Sequence, residues 1–385
     1  MNIEPALKAL AAALHGEGPA VELSVSPDGE PVVTPVPTPG FEDAVAVVRT
    51  SGSTGTPKAT VLTVDALAAS SMATAFALKG EGQWLLALPL QYVAGVQVLV
   101  RSLFAGTRPW AMDLSGGFTA EGFTAAALEL TDNIRFTSLV PTQLQRLLAD
   151  PSPDTLAVLR RFNGILLGGA PASAELLESA RNAGLRVVTT YGAAETCGGC
   201  VYDGYPLEGV ALRLAEDGRI HLGGATLAAG YLGPPRQTAE AFVEEDGTRW
   251  YRTNDLGTLD PDGRLTVLGR ADDVIITGGV KVSAAHVQAE LEKSDGVSAA
   301  FVAGVESAKW GQAVAAYVAV AGTASGDGAG GAARDGAAWA EEWHRTLGLL
   351  APKTVLPAGE LIMLPNGKPD RLAMIERLNA LHQGK

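Results

Sequence analysis

Cysteine is almost missing from this chain: among 385 residues only Cys197 and Cys200 occur. Their C-x-x-C spacing is that of a redox dithiol. One pair cannot complete a structural zinc site without histidines, and none lies nearby in sequence. With disulfides rare in the cytosol, the two read as small buried thiols in a glycine-rich loop. Long apolar runs are missing as well, so no segment is expected to span a bilayer. No signal-peptide pattern opens the chain, because Glu4, Lys8, His15, Glu17 and Glu22 interrupt its start. A cytoplasmic protein is the expectation. Cations are in short supply: 29 Lys and Arg face 42 Asp and Glu, a formal net charge of −13. That balance argues against nucleic acid or an anionic membrane as partner. A site for an anionic substrate must then build positive potential locally, which makes each Lys or Arg in a loop informative.

What is present is a well-cored composition, 47% hydrophobic and 18% charged, in a chain long enough for two or more domains. The stretch Val45–Thr60 organises it. An apolar strand, Ala44 to Val48, runs into a loop of Ser, Thr and Gly that ends in Lys58. Gly52 and Gly55 permit turns in which backbone N–H groups face an anion. Thr50, Ser51, Ser53, Thr54 and Thr56 add hydroxyls, and Lys58 adds a point charge. A helix capped near Thr63 or Asp65 is expected to follow. This is a phosphate-holding loop but not a Walker A loop, since Pro57 precedes the lysine and Ala59 follows it.

Strands then alternate with helices. Trp84–Leu88, Thr137–Val140, Ile165–Leu167 and Val187–Thr190 read as buried strands, and helices are expected between them. The pattern predicts an α/β fold with a mainly parallel sheet, whose ligands bind at the carboxyl ends of the strands. Gly168-Gly169 and Tyr191-Gly192 sit at such ends. After Gly204 short strands with tight turns take over, a β subdomain over about 205–269. A smaller α+β unit follows from 270 to 385. Residues 321–338 are low-complexity and read as a surface loop.

Four further segments carry chemistry. In Tyr191-Gly-Ala-Ala-Glu-Thr196, Glu195 offers a hard oxygen suited to Mg²⁺, Thr196 a donor for phosphate, and Gly192 room for a ligand. Asp255 is placed to clamp ribose hydroxyls. Arg270 is within reach of phosphate or ribose; Asp272 and Asp273 read as a hinge without regular structure; Gly278 and Gly279, before Lys281, let a narrow ligand pass. Near the end, Gly367 and Pro369 flank Lys368, which projects from a tight turn.

Together and in this order these segments resemble the acyl-adenylate-forming, AMP-binding ligases, from about residue 44 to 375. The short chain, the Tyr191–Cys200 stretch, and Leu88-Pro-Leu90 before Val93-Ala-Gly95 look most like the members that act on o-succinylbenzoate in menaquinone synthesis. The resemblance implies a large N-terminal domain, residues 1–269, and a small mobile C-terminal domain, residues 270–385. It implies ATP, Mg²⁺ and CoA as cofactors and a small-molecule carboxylic acid as substrate. Lys368 would stabilise charge at the α-phosphate, Glu195 would hold Mg²⁺, Asp255 the ribose, and Gly278–Lys281 the CoA channel after rotation about Asp272. The departures are specific. About 40 residues precede the phosphate loop, which leaves one pocket wall missing or supplied by a second subunit of a homo-oligomer. Ala194 replaces a hydroxyl residue, Gln91-Tyr92 an aromatic–His pair, and Asn254 a glycine. Another aromatic acid, a carrier protein in place of CoA, and a nucleotide-binding module without ligase activity stay open as alternatives.

Overall fold

The computed structural model describes residues 1–26, 28–50, 57–320, 336–364 and 369–383. It divides into two compact units. The first comprises Met1–Arg213, His221–Thr253 and Asp260–Leu265; the second comprises Leu214–Ile220, Asn254–Leu259 and Thr266 onward. The boundary falls inside two strands, Arg219–Gly224 and Thr248–Leu259. Segments from before residue 270 therefore group with the C-terminal residues by contact. Among the described residues no helix is long and apolar enough to cross a membrane.

The first unit holds the parallel sheet. Its order runs Tyr205–Pro206, Gly198–Tyr202, Val187–Ala193, Gly164–Leu167, Arg135–Leu139, Gln83–Leu86, Trp110–Ala111. The last five are parallel to one another, and Gly198–Tyr202 returns antiparallel. Both faces are covered, which is why these strands are nearly continuous in apolar residues. Successive side chains point to opposite faces. Trp84 and Leu86 accordingly enter one core, with Leu67, Ala73, Val96 and Leu99, while Leu85 and Ala87 enter another, with Phe123, Leu144, Leu159 and Phe162.

A second sheet runs Gly230–Leu232, Lys58–Thr63, Ala44–Thr50, Val21–Val25, Pro31–Pro35. It corrects the reading of the loop before Lys58. That loop joins two antiparallel strands, not a strand to a helix. Lys58 opens the return strand, whose Lys58–Thr63 run is buried from Ala59 onward. Only then does the helix Val64–Leu78 begin, with the Thr63 hydroxyl accepting from Ala66 N at 3.4 Å. The helix begins where the sequence suggested, but the strand Lys58–Thr63 separates it from the loop. Its N-terminus is thus not the one that the loop feeds.

The second unit is built on Val280–Ser283, Val274–Thr277, Gly311–Val320 and Val297–Ser307, with Thr354–Ala358 parallel to Gly311–Val320. Alternation again makes two cores. Val302, Val314 and Val318 pack with Trp339 and Trp343; Phe301, Ala315 and Tyr317 pack with Met374 and Leu378. The expected loop 321–338 lies outside the described residues up to 335, and the helix Gly336–Leu347 follows.

Candidate active site

In the first unit, the hairpin register sets Thr50 opposite Lys58. Ser51, Ser53, Thr54 and Gly55 lie outside the described residues, so the site is built from what flanks them. The Lys58 ammonium sits 5.0 Å from the ring centroid of Tyr231, within range for a cation–π attraction. Strand pairing produces this contact: Tyr231 lies opposite Thr60, on the strand antiparallel to the lysine's own.

The same Tyr231 reaches Glu195, its hydroxyl donating to Oε1 at 2.7 Å. Glu195 is only 6% exposed. It sits in a one-turn 3₁₀ helix, Ala194–Thr196, at the tip of the tight connection between Val187–Ala193 and Gly198–Tyr202. The expected strand-end loop is therefore strand through Ala193 and then a single helical turn. Cys197 closes it in the left-handed region, φ 52°. Its carbonyl accepts from Ser70 Oγ at 3.2 Å and from the Gln97 side chain, which tie the turn to two core helices.

Thr196 and Gly192 both have protein contacts in this turn. The Thr196 hydroxyl, proposed to meet phosphate, is fully buried. It accepts from Ala193 N at 2.9 Å and donates to Gly198 O at 2.7 Å. These bonds shape the turn. Gly192 lies close against the returning strand, since a Cβ there would meet Gly198 O at 2.1 Å. Gly168 is similar, with Thr190 Oγ1 at 2.3 Å from a built Cβ, while Gly169 carries φ +84°. Both cysteines are free and buried, as the sequence suggested. Burial pushes both thiols up, Cys200 to about 12.

Glu195 Oε2 makes no hydrogen bond among the described residues. Nor do those residues hold a group of three or more His, Cys, Asp or Glu able to cage a metal. One carboxylate with a spare oxygen, close to a phosphate-type loop, is a donor set that fits Mg²⁺ carried on phosphates. Tyr231 keeps its proton: burial first, then the neighbouring Glu195 charge, drive its phenol far above the usual range. The segment leading to Tyr231 is pinned as well. Arg249 donates to Ala228 O at 2.7 Å and to Ala229 O at 2.6 Å, and Ala228 N donates to Glu195 O at 2.9 Å.

In the second unit, Asp255 is half-buried on the strand Thr248–Leu259, and its charge is felt by Arg270. Arg270 does not point freely outward. Its Nε and Nη2 form a bidentate pair with Asp272 Oδ1 and Oδ2, both at 2.8 Å. That pair raises the guanidinium's pKa further. Residues Ala271–Asp273 form a 3₁₀ turn where no regular structure was expected, and Arg371 pairs with Asp273. Gly278 and Gly279, at φ +56° and +84°, make the two-residue turn between Val274–Thr277 and Val280–Ser283. Lys281 is exposed. Trp310, which sequence reasoning passed over, packs on Gly278: a Cβ there would meet its ring at 2.9 Å. Lys309 lies 4.9 Å from the centre of that ring. Lys368 is outside the described residues; beside it Met363 and Pro369 form an antiparallel bridge.

Tyr231 was also missed. Nothing local in sequence marks it, because its partners Lys58 and Glu195 are distant along the chain and meet it only through sheet pairing.

Known proteins resemble this chain. A probable 2-succinylbenzoate–CoA ligase of Mycobacterium tuberculosis (strain CDC 1551 / Oshkosh) is 42% identical over 339 residues, covering 87% of this chain and 85% of the relative. The 2-succinylbenzoate–CoA ligase of Bacillus licheniformis is 33% identical, covering 75% of this chain and 62% of the relative. Among solved structures, o-succinylbenzoate CoA synthetase (MenE) from Bacillus subtilis, in complex with the acyl-adenylate OSB-AMP, superposes with a TM-score of 0.71 at 26% identity. It covers 87% of this chain and 69% of that one. ATP-bound MatB from Rhodopseudomonas palustris gives 0.75 at 25% identity, over 90% and 70%. The AMP-binding enzyme family model matches residues 5–232, and the chain belongs to that family.

Proposed function

We propose that this protein is an ATP-dependent ligase that activates 2-succinylbenzoate as its acyl-adenylate and passes it to CoA. Two lines support the reading. Relatives at 42% and 33% identity bear that ligase's name. The observation that carries it is the buried Glu195 carboxylate, held by Tyr231 beside the lysine of the phosphate-type hairpin. In the first step a substrate carboxylate oxygen attacks the α-phosphorus of ATP, and pyrophosphate leaves. Lys58 attracts the leaving phosphates. Glu195 would hold a magnesium ion, whose charge would neutralise the phosphate oxygens. Lys368 stabilises the charge between acid and α-phosphate, and Asp255 takes the ribose. In the second step the CoA thiolate attacks the acyl carbonyl and AMP leaves. Gly278, Gly279 and Lys281 serve this step, with the C-terminal residues changing use about Asp272. Trp310 and Lys309 offer a flat ring and a cation, suited to the adenine and a phosphate of CoA. The catalysis is positioning and electrostatics, not covalent attack by the protein.

The acid carries a second carboxylate that needs a partner when buried. Arg101, Arg135 and Arg213 are the cations that the sequence offers for this. Arg213 pairs with Glu245, and Arg135 donates to Asp132 O. Arg101 is 6% exposed and has no carboxylate partner among the described residues; its Nε finds no hydrogen bond. It lies over the Trp84 ring at 5.2 Å, lining a small cavity with Ser71, whose hydroxyl is likewise unpaired. Arg101 lies beside Tyr202 and toward the amino end of the strand Gln83–Leu86, away from the strand ends where ligands of such sheets bind, so none of the three is assigned to the second carboxylate. The experiment is pyrophosphate release with 2-succinylbenzoate, benzoate, 4-phenylbutyrate and octanoate, with and without CoA. Equal rates with octanoate or benzoate would leave the broader acid–CoA ligase and remove the dicarboxylate.

A further inference from the structure

We infer that Tyr231 is a positioning residue that keeps the Glu195 carboxylate and the Lys58 ammonium apart, each in its working orientation. This rests on the role of Glu195 just proposed.

The argument is geometric. Lys58 and Glu195 carry opposite charges, and both are in contact with one side chain. In the low-dielectric interior such a pair attracts strongly, and a direct ion pair would neutralise both groups before any nucleotide arrived. No such pair forms among the described residues. Tyr231 stands between them instead. Its ring face takes the ammonium at 5.0 Å, and its hydroxyl takes Glu195 Oε1 at 2.7 Å. One oxygen is thereby fixed, and Oε2 is left for a cation.

The spacer is itself braced. The Tyr231 backbone N–H donates to Thr238 Oγ1 at 3.0 Å. Its ring meets Phe242 edge-on at 5.7 Å, and Phe242 meets Tyr251 at 5.3 Å. The Tyr251 hydroxyl donates to that of Tyr231. A chain of two phenols therefore ends on the carboxylate. Outer partners of this kind orient a metal-holding carboxylate, and their loss costs about 10–100-fold in metal affinity.

The test is calorimetric, on the full chain, with ATP as titrant in excess Mg²⁺ and again in EDTA. Unfolding midpoints establish that each variant is folded. Tyr231→Phe keeps the ring and its contact with Lys58 but removes the hydroxyl. It should cut the magnesium enhancement of ATP binding by about tenfold and leave metal-free binding within about twofold of the starting protein, since Lys58 is undisturbed. Tyr231→Ala removes the spacer altogether and should weaken metal-free binding too. Tyr251→Phe should act like Tyr231→Phe, more weakly, and stands in if the latter fails to fold. A full magnesium enhancement in Tyr231→Phe, or equal losses with and without magnesium, would overturn the inference. A starting protein that binds ATP no better with magnesium would instead overturn the metal role of Glu195.

Discussion

The two units handle their charges differently. In the first, Glu195 and Thr196 are buried, and each polar contact is made by a neighbour fixed by sheet pairing or by the one-turn helix. In the second, Arg270, Asp272 and Asp273 pair with one another or with Arg371 at partly exposed positions, around a short turn. Exposed pairs contribute about 0–1 kcal/mol each, so they can be exchanged cheaply. Buried groups held by fixed neighbours cannot. The first unit therefore reads as a preorganised site, and the second as a set of contacts that can be remade between steps.

The largest effect should separate the two most sharply. Lys368→Ala should reduce adenylate formation by about two to three orders of magnitude, the scale of losing one charged donor to the transition state. It should spare CoA transfer from supplied acyl-adenylate and leave the unfolding midpoint unchanged. Equal loss in both half-reactions would break the idea that second-unit contacts are remade between steps.

Next in size is Arg101→Gln. The Arg101 guanidinium is buried over Trp84 beside Tyr202, so its loss should cost about 1.5–3 kcal/mol of stability, with kcat/KM changing alike for 2-succinylbenzoate and 4-phenylbutyrate. A fall confined to 2-succinylbenzoate would instead place Arg101 at the second carboxylate.

Thr196→Val tests the first unit from the other side. It leaves the Ala193 N–H and Gly198 carbonyl of the turn unpaired, at about 1–3 kcal/mol for a buried orphan. Denaturant unfolding should report that loss, with KM for ATP changed only in proportion to the unfolded fraction. A rise in KM for ATP at unchanged stability would restore the phosphate-donor role.

Much of this was legible in the sequence, for identifiable reasons. The parallel strands and the helix capped at Thr63 follow from apolar runs and from a capping hydroxyl, whereas the Gly278-Gly279 pair, read as room for a ligand, makes a hairpin turn. Lys58–Thr63 was not read as a strand because a stretch buried on both faces has no period to show. The protein contacts of Gly192 and Thr196 left no signal of their own, because the motif marks that a close approach occurs, not what makes it. Tyr231 left no local signal at all, since its function exists only after distant strands are brought together.

The smallest effect concerns the two cysteines, which follow Glu195 directly and so look like part of its chemistry. A reactive thiol needs access and a lowered pKa. Cys197 and Cys200 have neither: both are fully buried, and burial drives both thiols up, Cys200 to about 12. At pH 8 neither is appreciably thiolate, so iodoacetamide should leave the native protein unmodified and label it only once unfolded. The Cys197 carbonyl, not its sulfur, is what Ser70 and Gln97 hold, so a serine at that position keeps the backbone contact. The double variant Cys197→Ser, Cys200→Ser should retain ligase turnover within about tenfold, at most ~1.4 kcal/mol in barrier, with the cost appearing in stability because two hydroxyls enter an apolar core. A folded double variant without activity, or rapid labelling of the native protein, would place a thiol in the chemistry and make this buried turn as exchangeable as the contacts of the second unit.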